Sequence, residues 1–355
     1  TTIDDPSEYF QTAIWTGNAS SRTISFTGNA DMQPDMVWSK KRADAAQNHC
    51  ITDTQRGVAN IIFTDNADQE SATQLITSMA SDGFAINNNA LINENTKTYV
   101  AWAWKANGGS STGSAAESGD NPAYNHQANT TSGFSIVTYT GTGTAATIGH
   151  GLGVAPAMYI IKNRDQTGTN WTVFHKDLTS NAYSLYLNTT AAQSNSVGYW
   201  NGTSPTSTVF SIKNTSGDVN TNTEDYVVYC FAEKQGYSKF GKYVGNGNNS
   251  GPYIHLGFRP AFIMTKKSDG TSGWFMQDIK RGIKNNDTNT PVLQANGSFS
   301  EATVGFTDYE IDFLSNGFKL RDNNTYVNAS GSTYIYMAFA ENPFVTSTGI
   351  PTTAR

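Results

Sequence analysis

Three stretches of this chain repeat one pattern, and that repetition limits what it can fold into more than any other feature. Each copy opens with an aromatic residue two positions before a glycine, at Trp15/Gly17, Tyr139/Gly141 and Tyr243/Gly245. Each then reaches a proline followed six residues later by a lysine, at Pro34/Lys40, Pro156/Lys162 and Pro260/Lys266. Further on stands Phe84, Phe210 or Phe318, and a tyrosine then opens an apolar closing segment at Tyr99, Tyr226 or Tyr334. The Phe-to-Tyr spacings are 15, 16 and 16, and successive prolines lie 122 and 104 positions apart. A period of about 105 residues is too long for a solenoid unit and has the size of an independent domain.

The longer first interval has a visible cause. Residues 107–131 begin Asn-Gly-Gly-Ser-Ser-Thr-Gly-Ser, the composition of a flexible tether. The chain therefore divides into a first module (1–106), a linker (107–131), a second module (132–236), a third module (237–345) and a C-terminal tail (346–355). The second and third are expected to pack as a pair, with the first free to swing. After each proline comes a short apolar run: Met36-Val37-Trp38, Met158-Tyr159-Ile160-Ile161 or Phe262-Ile263-Met264. These runs are too short for helices and are bounded by turn residues, so they predict buried strands. In the first closing segment, Val100, Trp102 and Trp104 alternate with Ala101 and Ala103, which places the two sets on opposite faces. Asn-Gly, Ser-Gly and Thr-Gly pairs crowd the intervals. Only a few segments, such as Glu70 to Met79, carry a weak helical signal. The fold class this predicts is all-β, three tandem antiparallel β-sandwiches, each with its own core.

Composition narrows the function. Charged residues are 15% of the chain and aromatics 12%, so disorder of the whole is excluded. The net charge of −6, with no basic block, argues against nucleic-acid binding and against adhesion to anionic lipid. No apolar run is long enough to span a membrane. Thr1 to Pro6 hold neither a basic start nor a hydrophobic signal core, and the missing initiator Met leaves a processed or truncated start open. The two cysteines, Cys50 and Cys230, do not make a disulfide framework.

Four phrases carry a family likeness. They are Asp-Thr-Gln-Arg-Gly (53–57), Thr-Tyr-Val-Ala-Trp-Ala-Trp-Lys (98–105), Gly-His-Gly-Leu-Gly-Val-Ala-Pro (149–156), and Ser-Asn-Gly-Phe-Lys-Leu continuing to Tyr-Ile-Tyr-Met-Ala-Phe-Ala-Glu-Asn-Pro-Phe (315–344). The chain resembles structural and tail-fibre proteins of tailed bacteriophages, especially marine ones, whose modules are similar to concanavalin A-like jelly rolls. The resemblance implies a non-enzymatic virion surface protein, outside the cell, attaching to host surface polysaccharide in a lectin-like way. It implies other virion proteins as partners and a homo-oligomer, a trimer among the options. A capsid-decoration or appendage-building role is the alternative, and a polysaccharide depolymerase a third reading.

The residues themselves offer few sites. Asp53-x-x-Arg56 and Asp278-x-x-Arg281 repeat one spacing, and His175 falls at the matching place in the second copy. An Asp and an Arg at this spacing can clamp sugar hydroxyls. The competing account is a structural ion pair that includes Lys40 and Lys266. Trp171 and Tyr199-Trp200 stand in polar surroundings, where exposed rings would stack on sugars or meet a partner, with packing in the core the competing account for each. The candidate ligand-binding set is thus Asp53, Arg56, Trp171, His175, Trp200, Asp278 and Arg281. Glu310 and Asp312 are the nearest approach to a glycosidase carboxylate pair, with no counterpart in the other copies. None of the five histidines has metal-ligand spacing. No cofactor is expected; calcium at Asp65-Asn66-Ala67-Asp68 or Asn285-Asn286-Asp287 is the one option, although neither completes a calcium-loop motif.

Overall fold

A computed structural model describes residues 1–44, 47–214, 216–282, 285, 290–301 and 309–352. It is all-β, with multiple antiparallel sheets. Strands are numbered in chain order. The first third holds β1 (Phe10–Thr16), β2 (Arg22–Ile24), β3 (Met36–Lys41), β4 (Cys50–Asp53), β5 (Ile62–Phe63), β6 (Ile76–Ala80), β7 (Gly83–Ile86), the single-turn helix α1 (Ala90–Asn93) and β8 (Thr98–Trp104). Then come β9 (Gly113–Ala115) and β10 (Tyr124–Asn129). The second third holds β11 (Phe134–Thr140), β12 (Ala146–Gly149), β13 (Met158–Asn163), β14 (Thr172–His175), β15 (Leu185–Tyr186), β16 (Val209–Ile212) and β17 (Asp225–Phe231). The last holds β18 (Ser238–Val244), β19 (Tyr253–His255), β20 (Phe258–Lys267), β21 (Trp274–Asp278), β22 (Leu293–Gln294), β23 (Ile311–Leu314), β24 (Gly317–Leu320), α2 (Thr325–Asn328) and β25 (Thr333–Pro343).

One strand order recurs. It is β1-β8-β3-β4-β5 in the first third, β11-β17-β13-β14-β15 in the second and β18-β25-β20-β21-β22 in the third. A smaller sheet accompanies each: β2-β7-β6, β12-β16 and β19-β24-β23. The repeated sequence signals explain how each large sheet is pinned. The opening aromatic lies directly across from the closing tyrosine, as Trp15↔Tyr99, Tyr139↔Tyr226 and Tyr243↔Tyr334. The rings stack, with centroids 5.3, 4.9 and 4.9 Å apart. Each tyrosine hydroxyl donates to a carbonyl on the approach to its own strand, at Ala90 (2.8 Å), Gly217 (3.2 Å) and Thr325 (2.9 Å). The glycine is needed because the chains touch. A Cβ on Gly17, Gly141 or Gly245 would sit 2.0, 2.2 or 2.3 Å from the carbonyl oxygen of Glu94, Thr221 or Ala329.

Alternation then divides the closing strands. Tyr99, Ala101 and Ala103 pack against the small sheet of their own third, and so do Tyr226, Val228 and Cys230, and Tyr334, Tyr336 and Ala338. The opposite faces meet in one cluster shared by all three thirds: Val100, Trp102 and Trp104; Val227, Tyr229 and Phe231; Ile335, Met337 and Phe339. Trp104, Phe231 and Phe339 hold equivalent places, and their rings stand 6.1, 6.0 and 5.5 Å apart around a pseudo-threefold axis. The large sheets are therefore buried on both faces; among the described residues each third has a local core beside the common one, and Phe275, Val292, Tyr309 and Val327 form a further small cluster in the last third.

This corrects three expectations. The first third does not swing, because its closing strand is built into the shared core. The segment 107–131 is not a free tether: β9 and β10 extend the second large sheet, with β10 antiparallel to β11. Its start is held by Asp35, whose carboxylate accepts from the backbone N–H of Ala106, Gly108 and Gly109 at 2.7, 2.9 and 2.7 Å. Within Glu70 to Met79 the regular structure is the strand β6, not a helix. Both cysteines are buried and free.

Candidate functional site

The residues singled out for chemistry converge on the seams between thirds. Asp53 ends β4, and its side chain accepts from the Arg56 backbone N–H at 2.8 Å and from Arg56 Nε at 2.6 Å. Asp278 ends β21 and holds Arg281 in the same way, at 3.0 and 2.6 Å. Each carboxylate has a third donor from the next third round the axis. Tyr229 OH reaches Asp53 Oδ2 at 2.6 Å, and Trp102 Nε1 reaches Asp278 Oδ2 at 2.9 Å. Each arginine passes the chain of charge onward. Arg56 Nη1 donates to Glu70 (2.7 Å), which also pairs with Arg164 of the second third (2.9 Å). Arg281 Nη1 donates to Glu301 (2.9 Å), which pairs with Arg42 of the first third (2.7 Å).

These are complete networks, and their electrostatics follow from burial. Burial works against the charge on Arg56, but Asp53, Tyr229 and Glu70 outweigh it and raise the pKa above its ordinary value. Arg281 is held in the same way, burial being offset by Asp278 and Glu301. Burial pushes the Tyr229 hydroxyl well up, so it stays a proton donor to Asp53.

The seam between the second and third thirds differs. His175 is buried, and burial pushes it down to about 3, so its ring is neutral. Asp177 N–H donates to Nδ1 (3.2 Å), which leaves Nε2 to donate to the Tyr336 carbonyl (3.2 Å). The closing-strand position that supplies Trp102 or Tyr229 elsewhere is Met337, which has no N–H or O–H to offer a carboxylate. The residue two beyond the buried lysine, Arg42 or Arg164 elsewhere, is here Ser268, and Gln193 replaces Glu70 and Glu301. The backbone contact survives all three exchanges: Glu70 N to Arg164 O, Gln193 N to Ser268 O and Glu301 N to Arg42 O, at 2.8, 2.8 and 2.9 Å.

Two more ladders repeat around the axis. Trp171 Nε1 donates to the Phe63 carbonyl (2.8 Å) and Trp274 Nε1 to the Tyr186 carbonyl (2.9 Å). His49 occupies the equivalent place. It accepts from Trp38 Nε1 (3.1 Å), and its Nε2 faces Gln294 without closing a bond of ordinary geometry. The lysines form the second ladder. Lys40 donates to the carbonyls of Lys41, Gln47 and Ser298, Lys162 to both oxygens of Thr169, and Lys266 to the carbonyls of Thr190 and Ser272. The expectation that Lys40 and Lys266 join an Asp/Arg ion pair is thus corrected: carbonyls, not carboxylates, hold them. Burial pushes Lys40 and Lys162 down to about 8 and Lys266 to about 7.

None of the seven proposed ligand-binding residues is open to a ligand. Asp53, Trp171, Trp200 and Asp278 are 0% exposed, His175 1%, Arg281 5% and Arg56 7%. Trp200 packs edge-on against Tyr159 and donates to the Tyr183 carbonyl at 2.9 Å. Tyr199 donates to Asp218 from the same local core. Asp312 lies 3.6 Å from Arg321, across the strand pair and not across a cleft. Among the described residues no group of three or more His, Cys, Asp or Glu gathers at metal-binding distance. Asp65 of the proposed calcium cluster instead accepts from the His49 N–H at 3.1 Å. Asn285 is bonded to Phe313, and Asn286 and Asp287 lie outside the described residues.

The comparison with protein families bears on the whole ring. The chain belongs to the family described as a domain of unknown function, DUF7483. One family model runs from residue 5 to residue 343, through all three thirds and the segment between the first two. No curated protein and no solved structure matches the chain. The partners Tyr229, Trp102, Glu70, Glu301, Arg42 and Arg164 escaped sequence reasoning. A signal for them exists in the repeat: the third copy lacks the arginine after its lysine, and the copy it faces lacks the Asp/Arg pair.

Proposed function

We propose that this chain is a non-enzymatic building unit of a tailed-bacteriophage particle, displayed on the virion surface as part of a tail fibre or similar appendage. The family likeness motivates the virion assignment, and with it the reading of each third as a concanavalin A-like jelly roll. The observation that carries the mechanical reading is the fate of the polar motif residues. The residues best suited to chemistry lock one third to the next and fix a rigid ring with a pseudo-threefold axis. A rigid unit of this kind suits a particle component that bears load in repeated copies. The test is direct. Purified particles of the phage encoding this chain should contain it in many copies, and gold-labelled antibody should decorate an external appendage. Absence from particles, or presence only in the lysate, overturns the proposal.

A second reading, attachment to host surface glycan, is favoured by one exposed group. Tyr253 is 44% exposed at the end of β19, with its hydroxyl bonded to Asn316 Oδ1 at 2.5 Å and His255 beside it. An aromatic face flanked by an amide and an imidazole suits a sugar ring. Saturable binding on a glycan array that disappears in Tyr253→Ala supports it; binding unaffected by that substitution removes it.

A further inference from the structure

The three seams are equivalent in position but not in content. At the seam of the first and second thirds, β10 lies on the outer edge of β11, pairing Asn129↔Phe134, Gln127↔Ile136 and Asn125↔Thr138. The equivalent edge in the first third belongs to β1, and among the described residues no strand is added there. The register shows which groups are left open. Lys105 N donates to Tyr9 O and Gly17 N to Lys97 O, so the odd residues of β1 face β8. The N–H and C=O of Phe10, Thr12 and Ile14 therefore point outward, and they have no partner among the described residues.

That edge lines a cleft of about 230 Å³ between the first and third thirds, walled by Gly28, Ile279, Lys280 and Glu341. Inside it Thr12 is 5% exposed, and its Oγ1 has no hydrogen-bond partner. The cleft is a formed structure. Gln11 bridges the Ser7 and Ala30 carbonyls and accepts from Gly28 N–H, which fixes one wall. Lys280 donates to Thr27 and ties the other third to it. The remaining edge, β18, is engaged differently over its first half: Ser238 pairs with Lys234, and the Glu233 carboxylate accepts from Phe240 N–H.

We propose that the outer edge of β1 is a strand-acceptor site, which takes an extended segment of a partner polypeptide antiparallel to β1, as β11 takes β10 within this chain. The occupied seam defines the partner's chemistry. Gln127 sits between Ile136 and Thr54, and its Oε1 accepts from Thr54 Oγ1 at 3.0 Å. In the open cleft the polar and apolar walls exchange places, because Thr12 stands where Ile136 stands and Ile279 where Thr54 stands. The partner residue opposite Thr12 is therefore an amide or hydroxyl residue that satisfies the buried Thr12 Oγ1 and rests its stem on Ile279. The flanking residues are uncharged, since Glu341 is already paired with Arg259 at 2.5 Å and Lys280 already donates to Thr27. Main-chain pairing supplies the affinity and this one pocket the selectivity.

The probe is a capped synthetic peptide with the sequence of residues 121–130, added to the full chain. Amide hydrogen exchange across residues 9–17 should slow at least tenfold, saturably, while the equivalent covered edge of β11 stays unchanged. Thr12→Pro removes the central outward N–H at an edge position that tolerates proline, and it should abolish the protection with an unaltered far-UV spectrum. Thr12→Val keeps the shape and the backbone, and it should weaken binding several-fold even if the proline variant does not fold. Absence of protection at millimolar peptide overturns the proposal, and so does protection that Thr12→Val leaves at full strength. Protection that appears without peptide and rises with protein concentration assigns the edge to a second copy and overturns the separate partner.

Discussion

Among the described residues, two of the seams carry an Asp–Arg–Glu–Arg charge series, and the third carries none. Where Tyr229 or Trp102 projects from the neighbouring closing strand, an aspartate receives it, an arginine neutralises the aspartate, and a glutamate and a second arginine complete the series. Where Met337 projects instead, every charged member is gone, and a neutral histidine, a glutamine and a serine stand in their places. A buried charge is tolerable only with all its partners, so the set is kept or lost as a unit. The backbone bond common to all three seams shows that the geometry of docking does not depend on the charges. They select which face meets which. A seam with an aspartate cannot accept Met337, and a Trp or Tyr donor would be stranded opposite His175.

The sharpest way to break this contrast is to remove one member. Asp278→Ala leaves Arg281 buried with only part of its set and Trp102 Nε1 without an acceptor. The expected loss is about 3–5 kcal/mol, the cost typical of breaking a buried ion pair from one side. Asp53→Ala should match it. His175→Ala removes only neutral hydrogen bonds and packing, and about 1–3 kcal/mol is expected. Urea denaturation of the three variants measures the difference; equal losses at all three would undo the account.

A control inverts the comparison. The stacked ring pair and its glycine are the same in all three thirds, so substitutions there should not discriminate. Gly17→Ala, Gly141→Ala and Gly245→Ala each force a methyl group into a backbone carbonyl. A cost of about 1–3 kcal/mol is expected at every site, within about 1 kcal/mol of one another. One tolerant site would show that the thirds differ locally as well as at their seams.

These two outcomes mark what the sequence could and could not disclose. The ring-and-glycine corner was legible because the aromatic and its glycine stand two positions apart and recur three times, each followed by a phenylalanine and then, at a near-constant distance from it, by a tyrosine. The alternation of Val100, Trp102 and Trp104 with Ala101 and Ala103 predicted two faces correctly. It could not say what covers each, since both sets are apolar, and the shared core went unseen. The Asp-x-x-Arg motif was found, with a sugar clamp and a structural ion pair both open, and the pair within each motif is present. Its deciding partners lie 176 positions away in each case, Tyr229 for Asp53 and Trp102 for Asp278. The Gly/Ser composition of 107–131 suggested freedom, but a polar strand such as β10 is held by main-chain bonds, which leave little mark on composition.

The lysine ladder separates burial from pairing. Lys266 is held by carbonyls alone, and burial lowers it from an ordinary value near 10.5 to about 7. Between those values the unfolded chain binds a proton that the folded chain does not, so stability rises with pH through this window and is penalised below it. From pH 7 to pH 8 this residue should add about 1 kcal/mol, given a ceiling of about 1.4 kcal/mol per pH unit for one proton. Lys266→Met should flatten that rise in urea midpoints measured at the two pH values. A slope unchanged by the substitution means that the folded lysine keeps an ordinary affinity for its proton.

The smallest effect is the most specific. Arg42 and Glu301 are 20% and 15% exposed at the outer end of their network, while Arg281, with which Glu301 also pairs, is wholly buried. Partial exposure screens the outer pair, so a double-mutant cycle of Arg42→Met and Glu301→Gln should give a coupling of about 0.5–1 kcal/mol, reduced by salt. The matching cycle of Ser268→Ala and Gln193→Ala, at the neutral seam, should give a coupling near zero at every salt concentration, because only a backbone bond links those residues and both substitutions retain it. Equal couplings would mean that the charged ends follow the docking of the thirds without selecting it. A coupling confined to Arg42 and Glu301, and fading with salt, is the result that ties selection of faces to charge.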